Sequence, residues 1–96
     1  MPLDGATILI VESEIAPFVI SLQQALEGVG AQSVVAREGS EALERCNQIQ
    51  FSAALLNEEN KEIENEIAAR GLPVMVYSRV SAALAIVAAL RVRLEN

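Results

Sequence analysis

Four short apolar, β-branched runs, each followed by a stretch with helical spacing, constrain this chain more than any other feature of it. The first run is Thr7-Ile8-Leu9-Ile10-Val11. It has no polar alternation, so it suits a strand covered on both faces. Gln32 to Ala36, Phe51 to Leu56 and Leu72 to Tyr77 read as the other three strands, with Pro73 tolerable near the start of the last. After the first run, Ile15, Phe18, Val19, Leu22 and Leu26 recur at helical spacing. Pro17 fits the first turn, and Gly28 and Gly30 supply a stop. Gly39-Ser40 offers a turn and cap for a second helix whose apolar face is Ala42, Leu43, Cys46 and Ile49. A short, highly charged third helix is expected from Lys61 to Arg70 with Gly71 as its C-cap, and a fourth from a Ser81 cap to about Leu94. Strands that alternate with helices imply a parallel sheet with right-handed crossovers.

The chain has 96 residues and no long linker, repeat or low-complexity tail, so one domain is expected over 1–96. Residues 1–6 read as an N-terminal extension and 80–96 as a C-terminal apolar helix. Aromatic residues make up 3%, so the core must be aliphatic. The net charge of -6 disfavours nucleic-acid binding, which needs cations to displace counterions from phosphates. There is no histidine, the commonest general base and metal ligand, and neither a nucleotide-binding glycine motif nor a nucleophile–base pair is visible, so an enzyme is not expected. Cys46 is single, which leaves no internal disulfide, and its place on an apolar helix face reads as a buried thiol. The longest apolar run, Ala82 to Leu90, is short of the roughly 20 residues a bilayer span needs. A soluble, cytoplasmic protein with no membrane partner is expected.

Three segments carry a likeness to a known family. Ile8-Leu9-Ile10-Val11-Glu12-Ser13-Glu14 resembles the opening of bacterial two-component response-regulator receiver domains, where the first strand ends in an acidic pair that binds Mg²⁺. Phe51-Ser52-Ala53-Ala54-Leu55-Leu56-Asn57 is similar to the third strand, which ends in the phosphoacceptor aspartate. Ala68 to Ser78 is similar to the helix and strand leading to the switch serine or threonine. The resemblance implies a flavodoxin-like α/β fold, here a truncated (βα)₄ with strand order 2-1-3-4 and helices on both faces.

The departures from the family are chemical. Asn57 stands at the phosphoacceptor position, and a neutral amide cannot form an acyl phosphate. Glu12 keeps a carboxylate, but Ser13 replaces the second acid, so Glu12, Ser13 and Glu14 make a vestigial acidic site at which Mg²⁺ binding is expected to be weak or absent. The amide also removes one of three like charges. Ser78 matches the switch hydroxyl, but only eighteen residues follow it, none of them the phosphate-contacting lysine. No cofactor and no catalytic residue are expected.

These departures imply a pseudo-receiver: a non-phosphorylatable signalling module acting by protein–protein interaction. The resemblance implies a histidine kinase, another regulator or a downstream protein as partner. The alternatives are a residual divalent-cation or phosphoryl sensor at the strand ends and a small α/β ligand-binding protein. Ala82 to Leu90 has no polar face, and a four-stranded domain cannot easily surround such a helix. It is expected to swing into the place of the missing fifth helix, to pack against a second copy, or to do both, and a homodimer is the favoured outcome. The expected interface residues are Tyr77, Arg79, Leu84, Ile86, Val87 and Leu90.

Overall fold

In the computed structural model, which describes residues 3–14, 17–78 and 80–95, the four runs form β1 (Thr7–Val11), β2 (Gln32–Ala36), β3 (Ala53–Asn57) and β4 (Val74–Tyr77). All pair in parallel, in the order β2-β1-β3-β4. The helices are α1 (Pro17–Glu27), α2 (Gly39–Gln48), α3 (Glu64–Ala68) and α4 (Ala83–Glu95), with a 3₁₀ segment, Glu58–Ile63, leading into α3. The expected α/β architecture with strand order 2-1-3-4 is the one observed.

The two central strands explain the lack of polar alternation. Every residue of β3 is buried, as are Ile8 to Val11 of β1. Ile8, Ile10, Ala53 and Leu55 point to one face, under α1 and α4. Leu9, Val11, Ala54 and Leu56 point to the other, with Ala42 of α2 and Ile67 of α3. The edge strands β2 and β4 are less completely covered.

Element boundaries moved where local hydrogen bonding overrode hydropathy. Phe51 and Ser52 precede β3, the Ser52 amide bonding instead to the Thr7 carbonyl at 2.8 Å. The third helical stretch starts at Glu58 rather than Lys61, because the Asn57 side chain caps it by accepting from the Glu59 amide. α3 ends at Ala68 with Ala69, not Gly71, as its C-cap, and Gly71 completes the turn that follows with a φ of 86° that is open to glycine and strained for other residues. Ala82, not Ser81, immediately precedes α4; its carbonyl accepts from Ile86 and the Ser81 amide turns back to Ser78.

The N-terminal residues are more than an extension. Leu3 is wholly buried in the α1-side cluster, and the Gly5 amide donates to Gly30.

Gly39, the first residue of α2, also has a packing role. A Cβ placed there would lie 2.7 Å from Cγ2 of Ile63, in the 3₁₀ segment. Cγ2 is fixed to a branched carbon and has no flexible arm to move aside. Gly39→Ala, normally favourable in a helix, is therefore expected to destabilise the protein by about 1 kcal/mol through overpacking. A urea-denaturation midpoint raised by this substitution would contradict that contact.

The last helix folds back over its own sheet. It lies on the α1 side of the sheet, with Ile86, Val87 and Leu90 buried and Ala83 and Leu94 packed against the same cluster. Each such burial contributes on the order of 1.5–3 kcal/mol. The opposite side, Leu84, Ala85, Ala88, Ala89 and Val92, is exposed. The helix is thus uniformly apolar in sequence yet buried along one stripe only.

Candidate functional site

Parallel register brings the chemistry-bearing residues to one end of the sheet. Val11 is abreast of Leu56, so Glu12 follows β1 in the same row as Asn57, and Asn57 is abreast of Tyr77. Side chains alternate across a strand. Ile10 and Leu55 face α1, so Glu12 and Asn57 leave their strands toward that same side.

Glu12 has no exposed surface. A buried carboxylate is costly unless hydrogen-bonded, and here two donors meet it. The Tyr77 hydroxyl donates to Oε1 at 2.8 Å, and the Glu14 amide donates to Oε2 at 3.1 Å. Tyr77 comes from two strands away, about 10 Å by the spacing of parallel strands. Its ring lies 5.7 Å from that of Phe18, at an interplanar angle of 26°. Phe18 belongs to the first turn of α1, so this stack packs the start of α1 against the end of β4.

Asn57 is also buried, and its Oδ1 accepts from the Glu59 amide at 2.9 Å. The Asn57 amide oxygen is therefore occupied as a helix cap, with Glu58 and Glu59 in the first turn where the helix dipole favours acids. Ser78 Oγ accepts from the Val80 amide at 3.3 Å in a local turn. Ser13 and Glu14 are exposed, and Arg79 lies outside the described residues.

The donor set does not fit a divalent cation well. Its one buried carboxylate has both oxygens engaged, and the neighbouring amide oxygen serves a helix cap. Among the described residues, no group of three or more His, Cys, Asp or Glu side chains is placed to hold a metal ion.

The expected interface residues separate. Tyr77, Ile86, Val87 and Leu90 lie inside their own chain's core, because α4 folded back over the sheet. Within one chain they therefore offer little outward surface. Leu84 alone of the described members faces outward, at 75% exposure, joined by Val80 at 93% and Val92 at 58%. The sequence reading missed the Glu12–Tyr77 bond. Its one available signal was a hydroxyl-bearing residue ending an otherwise aliphatic strand.

Cys46 is half-buried at the edge of the α2-side cluster. Burial pushes its thiol pKa up, and the nearby Arg70 guanidinium partly opposes this. No helix among the described residues is long and apolar enough to cross a membrane.

No protein-family model matches this chain, and no curated protein matches it.

Proposed function

We propose that this chain is a receiver-like signalling module of the two-component type that is not phosphorylated and acts in the cytoplasm by binding other proteins. The observation that carries the reading is the state of the strand ends. The residue at the acceptor position is an amide committed to capping the 3₁₀ segment, and the acid beside it is committed to Tyr77. Neither provides a nucleophile or an open cation site, so contact surfaces are the remaining means of action. A histidine kinase, another regulator or a downstream protein fits as partner. Self-association fits too, since Val80, Leu84 and Val92 leave apolar surface uncovered.

Incubation with acetyl phosphate and Mg²⁺, followed by intact-mass spectrometry, tests this reading. The expected mass is unchanged. A phosphoryl adduct labile to hydroxylamine, as acyl phosphates are, would overturn it.

A further inference from the structure

Building on the reading of this chain as an interaction module, we propose that the open edge of β4 binds an extended segment of a partner protein whose side chains alternate between apolar and basic. Three features of that edge specify the occupant.

The first is backbone. The Ala54 amide donates to the Pro73 carbonyl, and the parallel register pairs Ala54 with Val74 and Leu56 with Val76. In a parallel ladder this turns the Pro73, Met75 and Tyr77 peptide groups toward β3 and those of Val74 and Val76 away from it. Among the described residues no fifth strand covers them. Val74 is buried, but Val76 is partly open. A strand edge of this kind is a template for strand addition.

The second is a groove. Met75, Val76, Ser78, Ser81, Ala85 and Ala89 line a cleft of about 220 Å³ between β4 and α4. Val76 packs its side chain on the opposite face of the sheet, so the cleft reaches round to the strand edge itself. Its walls are mostly apolar, with Ser78, Ser81 and Tyr77 as the hydroxyl-bearing members, which suits one or two aliphatic side chains.

The third is charge on the other face. The 3₁₀ segment and α3 pack beside β4 on the side away from α4. They carry Glu58, Glu59, Glu62, Glu64 and Glu66 against the single Lys61. Successive residues of an added strand point to opposite faces. One set would enter the apolar groove, and the other would stand beside this acidic face.

The same charge argues against a second copy as occupant. Two β4 edges paired antiparallel about a two-fold axis would place both acidic segments on one face of the joined sheet, beside the axis. Like charges would face each other there, and β4 itself, Val74-Met75-Val76-Tyr77, has no basic residue to offset them.

The test uses the whole ¹⁵N-labelled protein and a synthetic peptide of alternating valine and lysine, with alternating valine and glutamate as control. The lysine peptide should shift the amides of Val76, Ser78, Ala85 and Ala89 most, and bind severalfold more weakly as salt rises to physiological strength. Val76→Pro removes an edge donor that no intrachain strand uses and should weaken binding about tenfold. Ala85→Arg, which fills the groove with a like-charged side chain, should do so independently. Shifts elsewhere only, or equal binding of the glutamate peptide, would overturn the proposal. So would a dimer of the protein alone that Val76→Pro dissociates, since the occupant would then be a second copy. Repeating the titration with acetyl phosphate and Mg²⁺ separates the two levels. Absence of binding in both conditions overturns the edge proposal alone, whereas binding that appears only with acetyl phosphate overturns the phosphate-independent reading beneath it.

Discussion

Leu90→Ala is expected to lower the unfolding free energy by about 3 kcal/mol, while Leu84→Glu, six residues earlier on the same helix, is expected to change it by less than about 0.5 kcal/mol. Both are leucines in a stretch with no polar face. Leu90 has no exposed surface and packs in the cluster that includes Leu22, Leu26 and Leu55. Truncating it removes buried methyl groups and leaves a void that α1, β3 and the rest of α4 can only partly fill. Leu84 is 75% exposed in the first turn of α4, where a new carboxylate also meets the favourable end of the helix dipole. Urea denaturation followed by circular dichroism measures both. Light scattering on Leu84→Glu adds a second reading: if the protein self-associates through this side of α4, the substitution should bring its mass down to that of the monomer. The reverse order of stabilities, with Leu84→Glu strongly destabilising and Leu90→Ala neutral, would mean that α4 docks through its other side.

That contrast also marks the limit of what hydropathy reveals. The strands were legible because consecutive β-branched and aliphatic residues such as Ile8-Leu9-Ile10-Val11 have few other stable uses, and their parallel order followed from the helices between them. Which stripe of α4 is buried was not legible. Alanine is compatible with either environment, so Ala85, Ala88 and Ala89 give the helix no polar face to read. Its side of the sheet depends on the five-residue connection between Tyr77 and Ala83 and on the surface α1 leaves uncovered, and both are properties of the whole fold. The start at Glu58 was hidden for another reason. Asn57 both ends a buried strand and caps the next turn, whereas propensity assigns one role to one residue. The local signal was present nonetheless, an Asn followed directly by two acids. The Glu12–Tyr77 bond spans 65 positions and has no periodic signature. What the sequence did show at the candidate site was residue chemistry, an acid ending β1 and an amide ending β3. What it did not show was that the remaining acid is already bonded within the chain.

The strength of that internal bond is open to direct measurement. Tyr77→Phe should destabilise the protein by about 2 kcal/mol, because it deletes the hydroxyl that donates to Oε1 and leaves a buried carboxylate short of a donor. The ring itself stays, so packing against Phe18 is retained and the loss reports the hydrogen bond. In a Glu12→Gln background the same change should cost only about 1 kcal/mol, since a hydrogen bond to a neutral amide is worth less than one to a carboxylate. The difference, about 1 kcal/mol, is the coupling that a double-mutant cycle isolates. Removing both partners at once, with Tyr77→Phe and Glu12→Leu, should recover part of the loss, because no buried acceptor is then left unmet. All of these stabilities can be obtained from urea denaturation at a single pH. A Tyr77→Phe cost under about 0.5 kcal/mol would mean that solvent reaches Glu12 and replaces the hydroxyl. The carboxylate would then be available to a cation, and the proposal of a chemically closed sheet end would lose its physical basis.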